Sequence, residues 1–244
     1  KLVFIPLIIV ALAVGIFLPF GWMSYDHKSA EEFVADIKTA TPSKKWQAAF
    51  VLAGKLRDTK GLGDTDRLFK GMASIFNDKT DYDEKVRSYM AMALGNLGDK
   101  RAIPILENAV RTEMAGDVSM YSMWALGTLK SSESVPLLIE KAKDPEAAVR
   151  KTALFVLGTL GRAEAIPVLG TALEDPEIDI RWNAAFALAS LGDTSGLPLI
   201  RQLLDRRYFE NFQEMSFQAR SDAMINALLS IARIGDDSFV PQIE

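Results

Sequence analysis

The sequence predicts an all-α chain: a solenoid of stacked helix pairs with an N-terminal single transmembrane helix. Three observations carry that prediction. A 14-residue phrase recurs along the chain, the apolar residues inside each copy follow a helical period, and an uncharged apolar run occupies the N-terminus.

The N-terminal run comes first. Leu2 to Tyr25 contains no charged side chain, and a run of this length spans a hydrocarbon core of roughly 30 Å as a helix. Pro6 and Pro19 lie near its two ends, where a lost backbone bond costs least. Trp22 and Tyr25 stand where interfacial aromatics anchor a span. No A-x-A cleavage site follows, so a retained anchor is expected rather than a signal peptide. The boundaries read as an anchor at 1–24, a juxtamembrane linker at 25–28 and a solenoid at 29–244. Lys28, Lys38, Lys44 and Lys45 after the span, against Lys1 before it, favour a cytoplasmic repeat domain. A short Lys-bearing N-terminus directly before a span also permits the opposite orientation.

The repeat is the second signal. ALGNLGDKRAIPIL (93–106) returns as ALGTLKSSESVPLL (125–138), VLGTLGRAEAIPVL (156–169), ALASLGDTSGLPLI (187–200) and SIARIGDDSFVPQI (230–243), at spacings of 32, 31, 31 and 43 residues. A period near 31 is the mark of a solenoid. In VRKTALFVLGTLG (149–161), Val149, Ala153, Val156, Leu157 and Leu160 form one apolar stripe at 3.6-residue spacing. Gly161 ends this helix, and a shorter one, AIPVLGTALED, begins with its proline in the first turn. Asp175-Pro176 then leads into the next long helix, as Asp144-Pro145 does one unit earlier, with Asp expected to cap and Pro to occupy the first helical position. Each unit is thus a short helix A and a long helix B, too small to bury its apolar face alone. A degenerate unit at about 29–61 precedes units at 64–100, 101–130, 131–161, 162–192 and 193–235. SFVPQIE at the end reads as the opening of another helix A, either a cap or a continuation.

Val149-Arg150, Ala153, Leu157-Gly158-x-Leu160-Gly161 and Ala165-Ile166-Pro167 resemble the short HEAT-like repeat of phycobilisome lyases, here in a membrane-anchored, bacterial-type arrangement. The resemblance covers roughly residues 82–243 and implies a right-handed α-solenoid. It also implies an internal ladder, in which the Arg of helix B pairs with turn aspartates. Arg87, Arg150 and Arg181 hold that position, eleven residues before Gly98, Gly161 and Gly192, with Asp144 and Asp175 as the expected partners. Trp46, Ser119 and Met224 interrupt the column.

Chemistry is harder to find. The formal net charge of −4 argues against nucleic acid, which needs a basic face. There is no Cys, which excludes disulfides, thiolate metal sites and cysteine nucleophiles. One His, His27, cannot supply the His-Glu iron ligands of the HEAT-repeat hydroxylase that matures hypusine. NDKTDYDE (77–84) lacks the glycine of a calcium loop. No phosphate-binding or nucleophile-elbow motif occurs. The expectation is a protein that is not an enzyme and takes no cofactor or metal.

One column of helix B carries a functional expectation. The variable position, where a solvated face would be polar, holds Val51, Met92, Trp124, Phe155, Phe186 and Leu229. One turn later come Lys55, Asn96, Thr128, Thr159, Ser190 and Arg233, and one turn earlier Tyr89, Met120, Tyr121 and Trp182. Either these large groups pad a thin core or they line a recognition groove on the concave face. An insertion, RRYFENFQEMSF (206–217), adds Tyr208, Phe209, Phe212, Met215 and Phe217, which either touch a partner or cover the stack. The partner-binding set is therefore expected to be Met92, Trp124, Phe155, Phe186, Trp182, Tyr121, Tyr208 and Phe209. The function expected is a membrane-anchored scaffold or accessory subunit docking a protein partner, an integral-membrane complex. The competing reading is a lyase-like or chaperone-like protein holding an apolar cofactor or lipid in the same groove.

Overall fold

In a computed structural model, residues 28–58, 62–114, 116–212 and 215–235 are described. The expected anchor at 1–24 and the motif copy's last residues, 236–243, lie outside them. Among the described residues no helix is long and apolar enough to cross a membrane.

Helices come in pairs. They are α1 (Ala30–Thr39) with α2 (Pro42–Lys55), α3 (Thr65–Asn77) with α4 (Glu84–Leu97), and α5 (Ala102–Thr112) with α6 (Asp117–Thr128). Next are α7 (Val135–Lys141) with α8 (Ala147–Leu160), α9 (Ile166–Ala172) with α10 (Ile178–Ser190), and α11 (Leu197–Gln202) with α12 (Phe217–Ile234). Short 3-10 turns occupy Ala163–Ala165 and Arg206–Asn211. Odd-numbered helices are the A members and even-numbered ones the B members.

Local chemistry sets the ends. Ser29 and Glu32 form a reciprocal capping box that starts α1, while Asp64, Asp83 and Ser216 cap α3, α4 and α12 through their side-chain oxygens. Gly98, Gly161 and Gly235 close α4, α8 and α12 in the left-handed region. In the third unit Lys130 stands where the second and the last three units have glycine, and it too adopts a positive φ, of 53°. The Asp-Pro turns differ from expectation. Asp144 and Asp175 accept the N–H of Glu146 and Glu177 two residues on, and the helices begin later, at Ala147 and Ile178. The short Asp side chain closes an Asx turn more readily than it reaches the first turn of the helix.

Packing between units is uneven. Each even helix lies against the next along the whole stack, whereas consecutive odd helices make substantial direct contact only among the first three. The motif glycine of helix B explains the closeness. A Cβ on Gly95 would lie 2.8 Å from the Cα of Ala125, and one on Gly158 would lie 2.7 Å from the Cβ of Ala187. The even layer is therefore the more closely packed of the two. Between the layers, residues such as Phe33, Leu52, Met72, Met90, Leu106, Leu126, Leu157 and Leu169 form a continuous buried core. A second cluster, built on Trp182, Ile200, Phe209 and Ala227, binds the last unit.

Candidate functional site

The even-helix face is built from the side chains that these helices turn away from the core. On α6 and α8 the variable column presents Trp124, 46% exposed, and Phe155, 41% exposed. Their rings are 4.6 Å apart and tilted by 32°, a stacked pair across two repeats. Met92 and Phe186 continue the column half-buried, and Leu229 ends it at 62% exposure. The next column is polar but occupied. Thr128 and Thr159 donate to the carbonyls of Trp124 and Phe155, and Asn96 donates to the Ala53 carbonyl at 2.8 Å. The hydroxyls are thus satisfied by their own helices, leaving the rings as the exposed feature.

A second aromatic string runs beside the first. Phe50, 55% exposed, meets the edge of Tyr89 at 5.3 Å, and Tyr89 meets Tyr121 at 6.1 Å. Two clefts open along these strings. One of ≈ 520 Å³ is walled by Met92, Met120, Tyr121 and Trp124, with Arg57 at its rim. The other, ≈ 370 Å³, lies between α8, α10 and α12 and is lined by Phe155, Phe186, Asn183, Asn226 and Leu229, with Arg233. Phe50 escapes the sequence reading because the repeat phrase puts the column one residue later, at Val51. Its signal in the sequence is its place four residues after Trp46 on the same helix face.

The Arg column serves the stack instead. Arg150 makes a bidentate pair with Asp175 of the following unit, Nε to Oδ2 at 2.8 Å and Nη2 to Oδ1 at 3.0 Å. Its Nη1 also donates to the carbonyls of Asp144 and Pro145. Asp144 therefore contributes its carbonyl, while its carboxylate lies 3.5 Å from Lys141. Arg87, buried, donates to the Phe76 carbonyl at 2.8 Å and to Glu113 at 2.6 Å. Glu113 occupies the turn that corresponds to Asp175, so it is the second carboxylate of the ladder, unforeseen because it lies 26 rather than 25 residues from its Arg. The neighbouring guanidinium holds each carboxyl below its ordinary range, Arg150 acting on Asp175 and Arg87 on Glu113. Among the described residues Arg181 reaches only the carbonyls of Asp175 and Pro176, and Asp205 in the next turn bonds Arg207 instead.

The family model for HEAT repeats matches residues 76–147 and 135–219, more than half of the chain. The chain belongs to the HEAT-repeat family. Its fold resembles a chain in the complex of CpcE and CpcF of phycocyanin lyase from Nostoc, with a TM-score of 0.62 at 22% identity over 82% of this chain and 76% of that one. It also resembles YibA of Escherichia coli, with a TM-score of 0.54 at 15% identity over 87% and 72% of the two chains. A designed armadillo repeat protein in complex with the peptide (KR)4 aligns at a TM-score of 0.50 and 14% identity, over 85% of this chain and all of that one. These likenesses concern the fold. No curated protein matches the sequence.

Three members of the expected binding set in this HEAT-repeat chain must be reassigned. Trp182 is 7% exposed and Phe209 is 2% exposed, both inside the second core cluster. Tyr208 is half-buried beside them, its ring 6.5 Å from Trp182 and 5.6 Å from Phe209. The 3-10 turn at Arg206–Asn211 folds back over α10, and the rings of Tyr208, Phe209 and Phe212 surround the indole. Burying four aromatic side chains against one another is worth more than leaving them in water. The 3-10 turn of the insertion therefore covers the stack with these three rings, while Phe217 at the insertion's end is 84% exposed.

Proposed function

We propose that this chain is a non-catalytic docking scaffold that holds a protein partner on its even-helix face and is tethered to a membrane by residues 1–24. The observation that carries the proposal is the Trp124–Phe155 ledge. Two large rings from successive repeats stack on each other, yet each leaves more than two fifths of its surface open. Core padding would bury them, as it buries Leu126 and Leu157 on the same helices. Covering the ledge with a partner is favourable by about 25 cal/mol per Å² of apolar area before association costs. The right-handed, curved stack supplies a rigid frame for several such contacts at once. The uncharged run at 2–25 supports the tether, and a tether raises the local concentration of a partner in the same membrane, so modest affinity suffices. An integral-membrane complex on the cytoplasmic side is the partner this arrangement suits best.

The ≈ 520 Å³ cleft beside Trp124 favours one alternative, an apolar cofactor or lipid held in the same place, since its size is that of a small-molecule site. Purification of the full chain in mild detergent, with and without Trp124→Ser and Phe155→Ser, separates the two. The docking reading expects a stoichiometric protein that is lost in the double variant while helical content and melting temperature hold. A variant that keeps every co-purifying protein, or melts far lower, removes the ledge from the function. A bound lipid or chromophore in place of protein selects the alternative.

A further inference from the structure

If the even-helix face docks a protein, as proposed above, the charge around the Trp124 cleft specifies the kind of segment it takes. The apolar cleft meets a second one, ≈ 460 Å³, at Asp117 and Tyr121. The second cleft is walled by Tyr89, Tyr121 and Ser88 and rimmed by Asp83, Glu84 and Asp117. Its three carboxylates stand differently. Asp83 accepts the Val86 N–H and Glu84 accepts the Asp117 N–H, each at 2.9 Å, so both are engaged in holding helix ends. The Asp117 carboxylate takes no hydrogen bond or ion pair from the described residues, although it stands between the two clefts. The one cation lining the second cleft, Lys85, is already placed over Trp46, its Nζ 3.6 Å from the ring centroid. Arg57 lies at the far rim of the apolar cleft. The face is therefore acidic where α4 and α6 begin and basic where α2 ends.

A carboxylate without a counter-ion, flanked by two tyrosine rings, is complementary to an ammonium or guanidinium group. In an extended chain, side chains two residues apart point the same way and lie about 7 Å apart, close enough to enter two contiguous clefts. We propose that the pair of clefts takes an extended polypeptide segment carrying a lysine or arginine two residues from a large apolar residue. The cation sits over Tyr89 and Tyr121 against Asp117, and the apolar side chain packs on Trp124 and Met92.

Fluorescence anisotropy of the full-length protein in mild detergent tests this, with short labelled peptides that place Arg and Leu two residues apart on one face (Arg-Ser-Leu-Ser repeats), and the same peptides with Glu for Arg, as probes. The Arg-Leu peptide is expected to bind roughly tenfold more tightly than the Glu-Leu peptide, with an advantage that shrinks in high salt. Asp117→Asn should remove most of that advantage, and Asp117→Glu should retain it, with circular dichroism confirming that both variants fold. Equal binding of the two peptides, or an affinity untouched by Asp117→Asn, overturns the charge assignment. If both peptides bind equally and Trp124→Ser abolishes both, the docking reading stands without it. If neither binds, both fall.

Discussion

Arg150 and Arg181 hold the same position in successive repeats but are bonded differently, and this difference sets their worth. Arg150→Ala removes a bidentate carboxylate pair and two carbonyl contacts, and should lower stability by about 1–3 kcal/mol. Arg181→Ala removes carbonyl contacts alone and should cost less, measured by urea melts. The ladder also predicts an acid limb. Folding lowers the pKa of Asp175 below its ordinary 3.8 and that of Glu113 below 4.5, through Arg150 and Arg87. A lowered folded pKa gives a contribution that is complete above the unfolded value and lost as pH falls through the folded one. Stability should therefore drop below about pH 4, and the drop should be shallower in Asp175→Asn. Lys130 makes the opposite case, a residue at odds with its backbone. Left-handed geometry costs a side chain roughly 1–2 kcal/mol, against about 0.5–1 kcal/mol for the extra freedom of glycine when unfolded. Lys130→Gly should raise stability by a few tenths to about 1 kcal/mol; a loss would mean that the lysine side chain itself contributes.

At the scale of elements, the helix pairs are legible because the repeated phrase carries their period, their glycine stops and their first-turn prolines. The exposed column is legible for the same reason: Trp124, Phe155 and Leu229 share one place in the phrase. What depends on a distant partner is not legible. Trp182 reads like Met120, one turn before the exposed column, and only the folding back of Arg206–Asn211 buries it. Glu113 reads as an ordinary surface acid until Arg87 is seen beside it. The motif glycines belong to the same class, since their neighbours come from the next repeat. Glycine to alanine in a free helix gains about 1 kcal/mol. Gly54, with nothing within 4 Å of a Cβ, should show part of that gain. Gly95→Ala should instead lose about 1–3 kcal/mol, because the new methyl meets the Ala125 backbone and pushes α4 from α6. Thermal melts of the two variants should move in opposite directions, and a stabilised Gly95→Ala would contradict the close packing of the even layer.

The whole molecule is a one-dimensional stack, in which each repeat depends on its neighbours and little else. Its first repeat carries its own helix start: Ser29 and Glu32 satisfy each other's backbone N–H groups at 3.2 and 2.6 Å. Phe33 and Ile37, fully buried, lie in the core that joins α1 to α2 and α3. Among the described residues these contacts hold α1 on the stack, and residues 1–22 are proposed as a separate tether. Deleting them should leave helical content and melting temperature unchanged by circular dichroism, and should move the protein from the membrane pellet to the soluble fraction. The two readouts answer separate questions. A truncated chain that unfolds would place the apolar run inside the fold and shift the boundary at 29. One that folds yet still pellets would transfer the membrane attachment to the stack itself, and the exposed rings of Phe50, Trp124 and Phe155 would then be the first surface to mutate.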